Sequence, residues 1–327
     1  MSAGPRRVLV TDTDLASFAI EQDVLRRLGA KIVLATSTEE STLVAEAARA
    51  AVIVVDRALI GEAVIGSAAR GGCRAIVRYG IGFDNIDLEA AERHGMPVAN
   101  VPDYCIDEVA DHTIALLLTH TRKIIPAVES IRAGGWEIPK GRVPRLAGRH
   151  LGLIGVGRIG RRVAARALAF GLVVVAYDPM VKVDEPGVRQ VGTLRELFEI
   201  SDYISLHVPL SAKTRNLIDE DGLRAMKRKP LLINTSRGGV LDLDLMIRAL
   251  DSGLISGLAL DVFDAEPLAK SHPIRSHPLA ILTPHMAYYS NESEAELVSR
   301  VAEEVGRALR GEALRNPLTR ISVAAIR

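Results

Sequence analysis

Leu151-Gly-Leu-Ile-Gly155-Val-Gly157-Arg-Ile-Gly160, followed downstream by Val173-Val-Val-Ala-Tyr-Asp178, decides how this chain is read. The glycines form Gly-x-Gly-x-x-Gly, a weak signal alone. Here an apolar run, His150 to Ile154, feeds directly into it, and Val163, Ala164, Ala167, Leu168 and Phe170 leave it at helical spacing. A second apolar run, Leu172 to Tyr177, then ends in the acid Asp178. Strand, tight turn, helix, strand and acid form the context that dinucleotide binding needs. Gly155 permits the turn, Gly157 lets the backbone approach a pyrophosphate, and Gly160 lets helix and strand pack closely. The helix start adds free N–H groups for the anion. The bland alternative, a glycine-rich turn in an ordinary α/β unit, leaves the coincidence of these features unexplained.

Asp178 also bears on the cofactor. Its carboxylate suits the free ribose hydroxyls of NAD and repels the 2′-phosphate of NADP. Pro179-Met180-Val181 supply no guanidinium to hold a phosphate, and Lys182 is one mobile charge beyond the turn. NAD is the expected cofactor.

The 327 residues suffice for two domains. Apolar residues make up 48% and charged residues 25%, an ordinary balance for a globular protein. With 41 basic and 40 acidic side chains the net charge is +1, so no global field recruits nucleic acid or an anionic membrane. Short basic clusters such as Arg161-Arg162 and Lys227-Arg228-Lys229 are expected on solvated faces. Two cysteines, Cys73 and Cys105, exclude a disulfide framework and a cysteine-based metal site. The start of the chain has no apolar signal core, and no apolar run approaches the roughly 20 residues of a membrane span. A cytoplasmic protein is expected.

Short β-branched runs alternate with helical patterns throughout. Strands are expected at Arg7–Thr11, Lys31–Ala35, Ala51–Val55, Arg74–Arg78 and Pro97–Asn100, with helices near 15–28, 39–49 and 87–94. That pattern predicts a parallel, flavodoxin-like sheet. Val101-Pro102 suits a crossover, and a helix with more than one greasy face is expected from Asp107 to Lys123. The second unit has expected strands at 150–154, 173–177, 203–207, 231–234, 257–262 and 280–282. Thr193 and Glu196 read as a capping box. A final helix at 291–310 is too isolated to be a domain and is expected to return to the first sheet. The fold class is α/β with two parallel-sheet domains. Residues 1–101 with 291–327 are expected to make a smaller discontinuous domain and residues 102–290 a Rossmann domain, with a cleft expected between them.

Three polar residues sit just past apolar strands of the second unit, where open α/β sheets hold ligands. Arg237 follows Leu-Leu-Ile-Asn-Thr-Ser, Glu266 follows Asp-Val-Phe-Asp-Ala, and His285 follows Ile-Leu-Thr-Pro. Together they suit reduction of a 2-keto acid. Arg237 offers a forked donor to carboxylate and carbonyl. His285 can move a proton near neutral pH. Glu266 can hold the imidazole and favour its charged form. Singly, each reads as a surface or capping residue; placed together at strand ends beside a dinucleotide fold, they read as functional.

Four motifs give the chain a family resemblance along nearly its whole length. They are Arg78-Tyr-Gly-Ile-Gly-Phe-Asp-Asn-Ile-Asp87, the glycine fingerprint with Tyr177-Asp178-Pro179, Asn234-Thr-Ser-Arg-Gly238, and Asp261-Val-Phe with Glu266-Pro267 and Thr283-Pro-His285. The chain resembles the D-isomer-specific 2-hydroxyacid dehydrogenases. The resemblance implies a hinged cleft between substrate and cofactor domains, usually in a homodimer, with hydride passing between NAD(H) and a small 2-hydroxy or 2-keto acid. It makes Arg237, Glu266 and His285 the catalytic three. It sets Asp261 at the nicotinamide carboxamide, Arg158 and Ile159 over the pyrophosphate, His207, Val208, Pro209 and Thr214 on the adenine side, and Thr235 and Ser236 on the nicotinamide side. Backbone around Tyr79, Gly80, Ile81 and Gly82 is expected to hold the substrate carboxylate.

Arg78–Asp87 and Thr283–Ser290 look most similar to the C-terminal-binding-protein branch of corepressors, which carries tryptophan where Tyr288 stands. Tyr288 is therefore expected over the substrate side chain, with a core or interface role as the alternative. The branch also raises a rival reading, an NAD(H)-gated interaction protein with incidental turnover. Asp56 stands where phosphoglycerate-using relatives carry an arginine, and Arg57 is expected to point the other way, which disfavours phosphoglycerate. His272 and His277 lie in proline-rich loops without carboxylates at ligand spacing, so no metal is expected. Trp136 is expected as an anchor beneath a loop.

Overall fold

The computed structural model describes residues 6–13, 22, 25–138 and 143–323. It divides into two compact units, Met1–Tyr104 with Ser290–Arg327, and Cys105–Tyr289. The helix expected near 15–28 lies mostly outside the described residues.

In the first unit, β1 (Arg6–Val10), β2 (Ala30–Leu34), β3 (Val52–Val55), β4 (Ile76–Arg78) and β5 (Val98–Ala99) form a parallel sheet. Its order, β2-β1-β3-β4-β5, is the flavodoxin-like one. The continuous Val-Ile-Val-Val of β3 is buried throughout, as a strand covered on both faces must be. Helices Glu40–Ala47, Glu62–Arg70 and Leu88–Arg93 accompany it. The middle one escapes the sequence pattern, because Gly66 and Ser67 weaken its propensity. It forms because Val64, Ile65 and Ala68 enter the core, while Gly66 fits against the His94 ring.

Helix Asn291–Arg310 belongs to this unit and packs on β3 and β4. Ser290 and Ser293 cap it reciprocally. Its buried Glu304 accepts the Arg315 amide at 3.1 and 3.2 Å, and the following tail runs along β5. There Leu318 N donates to Val98 O at 2.7 Å, and Val98 N donates to Thr319 Oγ1 at 3.0 Å. The tail thereby covers a sheet edge that would otherwise stay unpaired.

In the second unit, β6 (His150–Ile154), β7 (Val173–Tyr177), β8 (Val188–Gln190), β9 (Tyr203–Leu206), β10 (Leu231–Asn234), β11 (Gly257–Leu260) and β12 (Ala280–Leu282) form one parallel sheet. The order is β12-β11-β10-β9-β6-β7-β8. Successive connections leave β6 in opposite directions, to β7 on one side and β9 on the other. That reversal opens a crevice at the carboxyl ends of the strands, the ligand position of doubly wound sheets. β8 is an unexpected edge strand, too short and polar to show a period.

Helices Ile106–Thr121, Arg158–Ala169, Leu194–Ile200, Glu220–Ala225 and Leu243–Asp251 surround this sheet. The first stops short of Lys123, whose left-handed backbone (φ 56°) breaks the axis before a separate helix, Ile124–Arg132. The latter buries none of its residues. The expected capping box is half formed. Thr193 accepts from Glu196 N at 3.1 Å, but Glu196 reaches back to Gly192 N at 3.2 Å, not to Thr193 N. Trp136 is 89% exposed and anchors no loop.

Candidate active site

The glycine turn joins β6 to helix Arg158–Ala169 and explains each glycine separately. Gly155 has φ 91°, and a side chain there would also press on His207 O and Val208. A Cβ on Gly160 would collide with Gly155 O, so helix and turn touch directly. At Gly157 a Cβ would meet nothing within 4 Å. Gly157 and Arg158 are exposed and Ile159 is half-buried at the helix N-terminus, with no side chain capping the free amides. An open, uncapped helix start fits a pyrophosphate.

Beside that turn, Asp178 Oδ2 accepts from Val156 N at 2.9 Å, and Oδ1 accepts from Met180 N at 2.8 Å and Val181 N at 3.1 Å. The carboxylate is thus locked against the turn, while Oδ2 keeps a lone pair for a ribose hydroxyl. His207 closes the same corner: its N donates to Ile154 O at 2.8 Å and its ring meets Ser205 Oγ at 2.9 Å. Desolvation lowers its pKa to about 4, leaving a neutral ring at ordinary pH. Thr214 Oγ1 donates to Pro209 O at 2.6 Å and accepts from Ser211 N at 2.8 Å, tying the 209–214 loop to itself. The residues expected around a dinucleotide's adenosine half therefore meet at the ends of β6, β7 and β9.

A second cluster gathers past β10, β11 and β12. Asn234 Oδ1 accepts from Ser236 N at 3.0 Å and Ser236 Oγ at 2.7 Å, and its Nδ2 donates to Arg237 O at 2.8 Å. This side chain shapes the loop that presents Arg237. Thr235 turns its hydroxyl away, to Thr113 Oγ1 at 3.0 Å, leaving backbone for a ligand. A Cβ on Gly238 would overlap the Phe263 backbone, so the Arg237 loop lies directly on the loop bearing Glu266.

Glu266 Oε2 stands 2.6 Å from His285 Nδ1, and Oε1 accepts from Phe263 N at 2.8 Å. Burial pushes the Glu266 carboxyl up. The hydrogen bond and charge of His285, the Phe263 amide and the Arg237 charge outweigh this and hold it below the usual carboxylate value. His285 has a left-handed backbone (φ 54°), and its ring meets Tyr288 edge-on, with centroids 6.4 Å apart. Asp261 is 1% exposed and accepts from Thr283, Met286 and Ala287. Asn234, Thr283 and His112 carry no role in the sequence reading. Asn234 is detectable as an Asx-turn former after a buried strand. The other two show themselves only through contacts.

Tyr79–Gly82 lie in the other unit. Tyr79 is buried beside Val8, Val10 and Val54, and its backbone is already engaged. Its N donates to Val55 O at 2.7 Å, its carbonyl accepts from Arg78, and Gly80 N donates to Arg78 O at 3.0 Å, so these two amides are held within the unit rather than left for a substrate carboxylate. Val101 N donates to Gly80 O at 3.1 Å, and buried Asn100 donates from Nδ2 to Ile81 O at 2.6 Å. Arg57 does not point away from Asp56. It lies past the end of β3, where strand alternation no longer applies, with Nε 3.9 Å from Asp56 Oδ2. Arg78 approaches Asp56 Oδ1 at 3.5 Å.

Residues 114–287 match the model of the D-isomer specific 2-hydroxyacid dehydrogenase, NAD binding domain. The chain is 36% identical over 314 residues to D-3-phosphoglycerate dehydrogenase of Methanocaldococcus jannaschii, covering 95% of this chain and 59% of that one. It therefore spans little more than half of that relative. Glyoxylate reductase of Korarchaeum cryptofilum is 39% identical over 246 residues, 73% of this chain and 74% of that protein. Among solved structures, D-lactate dehydrogenase from Aquifex aeolicus, complexed with NAD and lactic acid, superposes with a TM-score of 0.84 at 31% identity, covering 93% of this chain and 96% of that one.

Proposed function

Because the chain belongs to the D-isomer-specific 2-hydroxyacid dehydrogenase family, we propose that it is an NAD-dependent enzyme of the cytoplasm that interconverts a small 2-hydroxy acid and its 2-keto acid. The observation that carries this reading is the 2.6 Å pair of His285 and Glu266 beside the Arg237 loop. Bound NAD(H) supplies or accepts the hydride at nicotinamide C4. Glu266 holds Nδ1 of His285, so Nε2 is the nitrogen left to give a proton to the carbonyl oxygen or take one from the alcohol. Arg237 polarises the carbonyl and pairs with the carboxylate through its planar fork. Tyr288 faces the substrate side chain, and Asp261 offers its remaining lone pair to the carboxamide.

Arg57 and Arg78 beside Asp56 temper its repulsion of a phosphate, so phosphoglycerate belongs in the substrate panel. The protein is a homodimer in this proposal. Ile124, Ile125, Val128 and Ile131 are exposed along one helix near exposed Trp136 and Ile138, a surface that a second copy would cover.

The test is a steady-state screen of pyruvate, hydroxypyruvate, glyoxylate, longer-chain keto acids and phosphohydroxypyruvate with NADH. Turnover of at least one acid, cut about 10²–10⁴-fold by His285→Ala while NADH still binds, supports the reading. No turnover, with association that depends on NADH, supports the corepressor-like interaction protein instead. The relatives named above are dehydrogenases and reductases and lend that rival no support.

A further inference from the structure

The loop carrying His285 is wrapped around one buried residue. Thr283 Oγ1 and Met286 N donate to Asp261 Oδ1 at 2.6 and 2.9 Å, Ala287 N donates to Oδ2 at 2.8 Å, and His285 N donates to the Asp261 carbonyl at 2.7 Å. These bonds hold His285 in a left-handed backbone, which its side chain disfavours, and so set where its ring leaves the loop. Backbone amides donate to both carboxylate oxygens, so Asp261 acts as acceptor and the Thr283 hydrogen is committed to it. The Thr283 oxygen is then the acceptor in its contact with His112 Nε2, 3.0 Å away. That direction requires the hydrogen of His112 on Nε2.

His112 itself is carried by helix Ile106–Thr121, whose Val109, Thr113, Leu116 and Leu117 are buried. A donor on a core-anchored helix thus terminates the chain of bonds from the His285 loop. We propose that His112 is a positioning residue: through Thr283 and Asp261 it registers the His285 loop against the core and sets the angle at which the ring meets Glu266. It touches neither substrate nor cofactor in this role. The inference rests on the reading of His285 as the proton donor.

The test uses the full chain and the keto acid of highest turnover in the screen. His112→Phe keeps a ring but removes the donor, and His112→Gln restores an N–H at similar reach. His112→Phe should lower kcat by about 10-fold or more, because small misplacement of a reacting group is costly. KM for the acid and NADH affinity, followed by fluorescence titration, should change little, and His112→Gln should recover most of kcat. Thr283→Val should lose a similar factor and Thr283→Ser should not. The double variant His112→Phe with Thr283→Val should lose no more than the larger single loss, since both break one link. If His112→Phe does not fold, the Thr283 pair decides alone. Parental kcat in His112→Phe, equal loss in His112→Gln, equal activity of the two Thr283 variants, or multiplying losses would overturn the inference. His285→Ala separates the two levels. Full activity there defeats the proton-donor reading, whereas inactive His285→Ala beside fully active His112→Phe defeats only the role of His112.

Discussion

Glu266 meets the Phe263 amide with one oxygen and His285 with the other, so the carboxylate is fixed to its own loop before it orients the ring. Gly238 packs on that same Phe263, which brings Arg237 to the pair through backbone contact. Acid–base partner and substrate fork thus share one short support, past adjacent strands of a single sheet.

Glu266→Gln keeps an acceptor for the ring but removes the charge that holds it. Keto-acid reduction needs a proton from the ring that Glu266 orients, so the variant should lower kcat. Stability responds at the acid end. Folded Glu266 lies below its ordinary value, so its contribution is complete above that value and fades as pH falls through the lowered one. The Tm of Glu266→Gln should therefore depend less on pH there. Parental kcat together with a superimposable pH–Tm curve would reduce Glu266 to packing.

Asp178 governs cofactor choice through a carboxylate already held by three backbone amides. NADH should bind well ahead of NADPH. Asp178→Ala should narrow the gap by roughly 1–3 kcal/mol, the scale of one charge-assisted hydrogen bond and the repulsion it replaces. Equal affinity of the parent for both cofactors, measured by fluorescence titration, would remove this role.

The fingerprint glycines should separate by what they cost. Gly157→Ala adds a methyl into open space, so Tm should hold while NADH affinity falls at least tenfold, because the methyl occupies the approach of the pyrophosphate. Gly160→Ala drives a Cβ into Gly155 O and should lower Tm before any question of binding arises. Unchanged NADH affinity in Gly157→Ala would move the pyrophosphate elsewhere.

Helix Ile124–Arg132 supplies the test of assembly. Ile131 is 54% exposed on a helix that buries no residue in its own unit. Ile131→Asp should change Tm of the isolated fold little, since more than half of its surface is already exposed in its own unit, and should convert dimer to monomer in light scattering. A parent that is already monomeric ends the proposal.

Much of this molecule was legible in its residues. The short apolar runs of β3, β6 and β7 read directly as strands, and the helix Asn291–Arg310 lies where it was expected. What escaped did so for physical reasons. Glu62–Arg70 is stabilised by tertiary burial against its own propensity, and β8 is held by β7 rather than by any pattern of its own. Arg237, Glu266 and His285 were visible as polar residues after strands. Thr283 and His112 were not, because their partners lie far apart in sequence and only the folded loop brings them together. Arg57 was misjudged because strand alternation was carried two residues past the end of β3.

Tyr288 stands edge-on to His285, at 80° between ring planes, with Tyr289 edge-on behind it. Two consequences of its removal can be told apart. Loss of the contact on the His285 ring changes the proton donor itself, so it should scale kcat for every keto acid by a common factor. Loss of a ring facing the substrate side chain should change kcat/KM unequally, most for acids whose side chains reach it. Tyr288→Ala should therefore reorder pyruvate, hydroxypyruvate, glyoxylate and longer-chain acids while NADH affinity stays nearly constant. A uniform fall across all acids with the order preserved would leave Tyr288 as a support for His285 and remove it from the pocket.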